Sequence, residues 1–597
     1  MVHPNPRRRA IPRTIILNLF VILFCCCAQL SAQSTSAPAR GASVTASGAS
    51  TDAADAPQAY LKLLAQAEAK SAAKQWTEAA ALWEQVVRMN PVNGEFWNSL
   101  ADARYEAKDY LKAIPAYQKV IELRYAIPSN AAYNIACCYA LAGDKEHALE
   151  WLDKAFEMGF RNLEHAQKDT DLQSLHEDAR FRKIVALVDA SKMSREEGWR
   201  YDLQLLAREV RRKAYAPVRP WANQEFETEV KNLDAQIPKL TDMQVVIRMM
   251  KLMRLVGDGH SGLLGSMSRP EFLQNLPVQF YLFKEGLYVI SADPKYKELL
   301  GAQVLKFGER TPDEVMRALD PLISRDNEIW PSQVGPYRMR SLPLLNALGL
   351  IPDAQKVQLT VRDLEGRTRA VQLEADTTEP NIWNTLPNPK TWVNLPQTLS
   401  APLPLYLKDM GDNYWFEYLP DSRTVYFQFN RVINAQGEPL GQFSGRLFKF
   451  INEHDVDRLV IDMRWNNGGN TFLEMPLVRG LISNEKINRR GHLFVIIGRR
   501  TFSAAQNGAT MIERNTNAIF VGEPTGSSPN FVGEETIFTL PYSKIMANVS
   551  DLFWQSSWPS DHRTWIAPQI YTPPSFEAFR QNRDPAMEAI AAYRENP

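Results

Sequence analysis

Residues 493–526 read LFVIIGRRTFSAAQNGATMIERNTNAIFVGEPTG. The apolar run from Leu493 to Ile497 has strand character and stops at Gly498, where the chain turns. Ser503-Ala504-Ala505 then opens a helical pattern to about Glu513, and a second apolar run, Ala518 to Val521, ends in another glycine turn. Strand, turn, serine, helix, strand sets a hydroxyl at a helix N-terminus just past a sheet edge. Unpaired N–H groups and the helix dipole there favour developing negative charge. Serine is also a common helix N-cap. This stretch alone leaves Ser503 as either a cap or a nucleophile.

Working back along the chain, TVYFQFN reads as a strand, Gln442 to Glu453 as a helix, and DRLVIDMRW as a strand running into Asn466-Asn467-Gly468-Gly469-Asn470. Strand, helix, strand and a glycine turn make a crossover unit of a parallel sheet. Paired glycines at such a strand end let backbone N–H groups approach a ligand, or simply turn the chain. Residues 377–420 are rich in Pro, Asn and Trp and read as an irregular connection. Residues 272–376 read as short strands with one helix, closing in a hairpin around Glu365-Gly366. Before them, 199–247 is helical, and Thr241 with Gln244 forms a capping box for the last helix. That helix runs out at Gly257-Asp258-Gly259-His260-Ser261-Gly262. Glycines near His260 set it on a tight turn, as a structural histidine or as a base.

The first third is different. QWTEAAALWEQVVRMNP, DYLKAIPAYQKVIELRY and DKEHALEWLDKAFEMGF are self-similar, with Ala79, Ala113 and Ala148 at spacings of 34 and 35 residues. A small residue at a fixed place lets paired helices pack closely, and this period is that of tetratricopeptide repeats, which the segments resemble. Such modules bind extended peptides or proteins, or serve as spacers. His147, His165 and His176 lie here as surface or packing residues. Arg7, Arg8, Arg9 and Arg13 precede an apolar run from Ile15 to Ala28 and small residues around Ser31-Ala32, the pattern of a secretory signal or an uncleaved anchor. Residues 33–57 are Ser, Ala, Gly and Thr, a flexible linker. Cys25, Cys26 and Cys27 fall in the signal, leaving Cys137 and Cys138, which read as small core residues. Lys+Arg and Asp+Glu are each 68, so nothing in the charge balance calls for nucleic acid or an acidic membrane. No metal-ligand spacing, nucleotide loop or cofactor fingerprint appears, so no cofactor is expected.

LMRLVGDGHSGL, LVIDMRWNNGG, GRRTFSAAQ, FVGEPTG and FRQNRDPAMEAI together resemble a serine peptidase of the C-terminal-processing/tricorn-type (S41) family, over roughly 195–595. The resemblance implies a multidomain fold: signal peptide 1–32, linker 33–57, an all-α tetratricopeptide array 58–190, a helical cap 191–268 ending in DGHS, a PDZ-like β module 269–376, and an α/β ClpP/crotonase-like core 377–597. The stretch from Leu300 to Gly308 with its Pro-Asp-Glu helix start carries the PDZ likeness. By the same resemblance Ser503 is the nucleophile, and N–H groups of Gly468 or Gly469 and of Ala504 form the oxyanion hole. Processing-type members carry a lysine base in the next glycine turn, but GEPTGSSPN offers only Ser527 and Ser528. The tricorn-type base falls on His260, with His562 as its competitor and Ser261 as an assisting hydroxyl. The orienting acid falls on Asp561, in a segment where Pro-Gln replaces the family's Pro-Asp; Glu523 and Glu513 rank behind it. The implied protein is exported, periplasmic or extracellular. Its partners are a polypeptide substrate and a protein at the repeats, with no nucleic acid and membrane contact only through an uncleaved signal. The rival is a binding scaffold whose core has lost activity.

Overall fold

The computed structural model describes residues 52–594 apart from 124, 126, 159, 161, 186–189, 216–223, 264–273 and 378–390. The signal segment and most of the linker lie outside the described residues. The linker's last residues do not: the first helix begins within them, at Asp52–Ala72.

Helices Trp76–Met89, Gly94–Glu106, Tyr110–Glu122, Pro128–Leu141 and Lys145–Glu157 follow in antiparallel pairs. Ala79, Ala113 and Ala148 are fully buried, as close helix packing requires. Asn93 and Asp144 cap their helices, each accepting a backbone N–H at the helix start. Cys137 and Cys138 are free, buried thiols. Ligand atoms of Cys137, Asp169 and Asp171 lie within 4.8 Å of one another. The tyrosine hydroxyls of Tyr133 and Tyr105 already donate to the two carboxylates. His147 pairs with Asp144, His165 with Asp169, and His176 stacks on Phe181.

Helices Arg195–Lys213, Gln224–Gln236 and Asp242–Arg254 come next. The Thr241/Gln244 capping box is present in both directions. An antiparallel sheet follows, in the order Val278–Phe283, Gly286–Ala292, Gln303–Phe307, Lys356–Arg362, Thr368–Glu374, with Val393–Asn394 on its second strand. The last two long strands form the expected hairpin, with Gly366 at φ +83° in the turn. Where one helix was expected there are three: Pro312–Leu319, Pro331–Arg338 and Leu342–Ala347. The first was expected from its Pro-Asp-Glu start; the other two, with Pro331 and Pro343 in their first turns and Pro336 inside, were not. At a first helical turn a missing N–H costs nothing.

The second sheet runs Ile570–Tyr571, Ile519–Gly522, Leu493–Ile497, Arg458–Asp462, Thr424–Phe429, Tyr414–Leu419; all neighbours are parallel except the last pair. Its central strand is buried on both faces. Phe494 and Ile496 pack with Tyr426, Val460 and the C-terminal helix Pro585–Ala592. Leu493, Val495 and Ile497 pack with Leu459, Ile461 and the helices Leu440–Glu453 and Ala504–Asn515. Each large side chain so buried contributes about 1.5–3 kcal/mol. This two-sided burial is why the strand reads as an unbroken apolar run rather than an alternating one. A third sheet joins Gly262–Leu263 to the long ribbon Asn530–Thr539/Met546–Gln555. Gly262 pairs with Asn548 and Leu263 with Ala547, which anchors the chain just after His260. Among the described residues no helix is long and apolar enough to cross a membrane.

Candidate active site

The strand Leu493–Ile497 ends in a tightly bonded turn. Thr501 Oγ1 accepts from the Gly498 amide at 3.0 Å and donates to the Met463 carbonyl at 3.0 Å, tying the turn to the neighbouring strand end. Ser503 then adopts φ +55°, ψ −129°. Such backbone is rare outside glycine and costs on the order of 1–3 kcal/mol. Ser503 occupies the N-cap of the helix Ala504–Asn515, yet its side chain makes no capping hydrogen bond. The plain N-cap reading therefore leaves both the strain and the idle hydroxyl unexplained.

Gly468 and Gly469 sit at φ +105° and +141°. A Cβ on Gly468 would lie 2.7 Å from Ser503 Cβ and 2.8 Å from the Ala504 nitrogen, and one on Gly469 would lie 2.2 Å from the Val432 carbonyl oxygen. The loop is pinned on that side: Val432 N–H donates to the Gly468 carbonyl at 2.9 Å, and Asn470 N–H to the Val432 carbonyl at 2.8 Å. The Gly468 amide is itself spent, donating to the buried Asn466 Oδ1 at 3.0 Å. Of the two expected oxyanion donors on this loop, the Gly468 amide is thus the one already engaged.

His260 sits on a turn built by Asp258. Asp258 Oδ1 accepts from the His260 amide at 2.9 Å and also from the Ser261 amide. Ser261 is buried, donating to Asp258 Oδ2 at 2.8 Å and accepting from the Ser550 amide at 3.0 Å, so it braces the turn against the ribbon. Asp326 bridges Gly259 N–H, at 2.7 Å, to the Ser527 hydroxyl, so Ser527 is a latch for this turn. The His260 ring stacks on Phe502, with centroids 4.5 Å apart, and on Phe531 at 5.3 Å. Phe502 stacks in turn on Trp330, at 4.2 Å. Burial lowers the imidazole to about 4, against the opposing pull of Asp258, so the ring is neutral at ordinary pH. The Val532 backbone lies close enough to the ring to favour its charged form, although neither ring nitrogen reaches full hydrogen-bond geometry with any described residue, and no bond joins His260 to Ser503.

His260, Ser261, Gly468, Gly469, Ser503 and Ala504 all line one cavity of 1190 Å³. Asp561 does not. Its carboxylate accepts from Ser557 Oγ at 2.6 Å and from Arg563 at 2.8–3.3 Å. The Arg563 guanidinium, then the Ser557 hydroxyl, hold it well below the usual carboxylate range. Asp561 makes no hydrogen bond to the imidazole, so this structure does not bring the expected acid and base together. Glu513 pairs with the same Arg563. Glu523 binds Arg499 bidentately at 2.8 Å on each arm, while Arg499 Nη1 donates to the Leu282 carbonyl of the antiparallel sheet. His562 is exposed and outside the cavity. Ser528 donates to the Thr564 carbonyl at 3.1 Å. Sequence reasoning missed Phe502, Phe531 and Trp330 around the histidine, and Arg338, Arg431, Arg500, Glu534 and Glu535 on the cavity wall.

The geometry can be set beside known proteins. Residues 64–131 match a family model described as a tetratricopeptide repeat. No curated protein matches the chain. Among solved structures it is similar to mature CPAF complexed with lactacystin, at 13% identity and TM-score 0.46, over 66% of this chain and 97% of that one. It is also similar to the photosystem II D1 C-terminal processing protease, at 12% identity and TM-score 0.32, over 64% and 94%. A putative S41 protease from Bacteroides fragilis is similar at 10% identity and TM-score 0.26, over 53% and 84%. The chain thus carries a tetratricopeptide-repeat region and, beyond it, a mixed α/β region with several sheets.

Proposed function

We propose that the chain is an exported serine endopeptidase, with a PDZ-like module at 269–376 and a ClpP/crotonase-like core from 377. Ser503 Oγ attacks the substrate carbonyl, and neutral His260 takes its proton and returns it to the leaving amine. The N–H groups of Gly469 and Ala504 hold the negative oxygen of the tetrahedral intermediate, each such donor contributing about 2.7–4 kcal/mol to the barrier reduction. Water then hydrolyses the acyl-enzyme by the same base.

The observation that carries this reading is the strained, uncapped Ser503 packed against a side-chain-free Gly468, in one cavity with an uncharged histidine. A cap needs neither the strain nor the bare glycine. Desolvation keeps His260 in the neutral form that can accept the Ser503 proton. Catalytic hydrogen bonds are often made only in the substrate complex.

The second reading is a peptide-binding scaffold, favoured by the absence, among the described residues, of any side chain hydrogen-bonded to either His260 nitrogen. Labelling the purified chain with a fluorophosphonate and mapping the modified peptide separates the two. Modification at Ser503, lost in Ser503→Ala and His260→Ala, supports the peptidase. A folded wild-type chain that takes no label supports the scaffold.

A further inference from the structure

His260 and Ser503 share one cavity but no hydrogen bond, so their spacing is set by whatever holds their two turns. We propose that Asp326 is the positioning residue that sets it, tying the turn of the base to the turn of the nucleophile. This rests on the reading of Ser503 and His260 as nucleophile and base.

Asp326 lies between the helices Pro312–Leu319 and Pro331–Arg338. Its Oδ1 accepts from the amide of Gly259, the residue before His260, at 2.7 Å, and its Oδ2 accepts from the Ser527 hydroxyl. Asp258 takes the next two amides, so three consecutive N–H groups of the base turn end on carboxylates. Asp258 moves with that turn. Asp326 is 67 residues away along the chain and anchors it from outside. The ribbon holds the far side of the turn, through Asn548 to the His260 carbonyl and the Ser550 amide to Ser261 Oγ. A Cβ on Gly259 would lie 2.9 Å from the Phe502 ring and 3.1 Å from Asp326 Oδ2, so the bare glycine is what lets the carboxylate approach. The bond runs to backbone, and through it Asp326 fixes where the turn carries the imidazole.

The second arm leads to the nucleophile. Ser527 is fully buried in the turn after the strand Ile519–Gly522. In that turn the Gly526 amide donates at 3.1 Å to the carbonyl of Thr501, two residues before Ser503. Thr525 Oγ1 stiffens it, donating to the Ser527 carbonyl at 3.0 Å and accepting from the Ile566 amide at 2.9 Å. The path from base to nucleophile therefore runs through Gly259, Asp326, Ser527, Gly526 and Thr501. Asp326 is itself held firmly. Its neighbour Asn327 is buried and donates to the Thr525 and Thr564 carbonyls at 3.1 and 2.7 Å. Arg325, on the other side, is engaged by Asp320 and Glu328. The same segment ends in Trp330, which stacks on Phe502, the ring that His260 also meets. Hydrogen bonds to a carboxylate are about twice as strong as neutral ones, and a reacting pair displaced by about 1 Å loses about 100-fold in rate. A tie of this strength at this place is enough to decide whether Ser503 has a base.

The test follows the full chain by fluorophosphonate labelling over a series of probe concentrations, with hydrogen–deuterium exchange on the same samples. Asp326→Ala should lower the maximal labelling rate about 100-fold, keep the half-saturating probe concentration within about threefold, and still reach full labelling. A fold defect alone would reduce the labelled fraction rather than slow every molecule. Asp326→Asn should stay within about tenfold of wild type, the scale of one hydrogen bond, because its amide oxygen accepts from Gly259 and its amide nitrogen donates to a reversed Ser527 hydroxyl. Ser527→Ala cuts one arm only and should slow labelling about tenfold on the same scale, which keeps the test open if Asp326→Ala does not fold. Exchange in Asp326→Ala should quicken in peptides spanning 257–263 and 524–528 and stay unchanged in the repeat helix Trp76–Met89. Wild-type rates in both Asp326→Ala and Ser527→Ala overturn the inference and leave the peptidase standing. Asp326→Asn as slow as Asp326→Ala also overturns it, since the effect then belongs to the charge and not to the tie. A wild-type chain that takes no label removes the peptidase instead. Exchange then still reads the tie, and unchanged exchange in both segments overturns it.

Discussion

Gly468 lies so close to Ser503 that a Cβ added to it would come within 2.7 Å of the serine Cβ. The contact joins two strand ends, Arg458–Asp462 and Leu493–Ile497, at neighbouring positions in one parallel sheet. At φ +105° the glycine is also in backbone that side chains rarely adopt. Gly468→Ala should therefore push the loop away from Ser503 and Ala504 and lower the fluorophosphonate labelling rate by about 100-fold or more, the scale of a lost oxyanion donor. Thermal unfolding of the same sample checks that the chain remains folded. Labelling at the wild-type rate would remove this loop from the reaction.

The pH dependence of labelling follows from His260. Only the neutral imidazole accepts a proton, and burial lowers its pKa to about 4 from an ordinary 6.5. Activity should be full at neutrality, persist through pH 6 and 5, and fall as pH drops through about 4. The same shift makes the unfolded chain bind more protons than the folded one between those values. The stability that His260 contributes is present above 6.5 and lost as pH falls toward 4. Denaturant melts of wild type and His260→Gln across this window measure it. An activity limb at 6.5 would mean a solvated base, and so a different residue.

Glu474 behaves in the opposite sense. Its carboxyl is buried with both oxygens unpartnered, against Gly508 of the helix that Ser503 begins, and burial raises it well above its ordinary 4.5. The folded chain holds this proton more tightly than the unfolded one. Its contribution is full below 4.5 and lost as pH rises through the raised value. Glu474→Gln should flatten the alkaline side of the stability profile. Gly508→Ala, whose Cβ would meet Glu474 Oε1 at 2.2 Å, should destabilise by about 1–3 kcal/mol, as overpacking does. Identical profiles for wild type and Glu474→Gln would show the carboxyl to be solvated.

The pair Arg464–Asp584 holds the C-terminal helix to the sheet. Arg464 Nη1 and Nη2 donate to the two Asp584 oxygens at 3.0 and 2.8 Å, and Arg464 also binds Asp462. Removing one partner of a buried pair costs about 3–5 kcal/mol. Asp584→Ala should lower the unfolding free energy by that amount, measured by urea denaturation. Asp584 also caps the helix Pro585–Ala592, so Asp584→Asn, which keeps a capping oxygen, should recover part of the loss.

Elements set by local chemistry could be read directly from the residues. The alanine period, the Thr241/Gln244 box, the buried strand Leu493–Ile497 and the turn into Ser503 each follow from spacing and side-chain type within one short segment. Residues whose partners lie elsewhere could not be read so. Asp561 was the carboxylate nearest the place the family resemblance gives the acid, and its pairing with Arg563 acts through side-chain bonds that no spacing requires. Gly468 and Gly469 look alike in sequence. The Asn466 carboxamide, two residues upstream, takes one amide and not the other, a local turn that asparagine favours. The helices Pro331–Arg338 and Leu342–Ala347 were hidden by prolines at helix starts, and Arg338 was hidden with them.

The brace on Arg464 also has a consequence in time. The strand Arg458–Asp462 and its glycine loop leave the ribosome well before Asp584 does, so until then Arg464 lacks the Asp584 part of its countercharge. The short strand Ile570–Tyr571, which pairs beside Ile519–Gly522, arrives equally late. Domains fold as units once their elements are all present. The sheet whose strand Leu493–Ile497 leads into Ser503 is therefore completed only once residues 570–592 have been made.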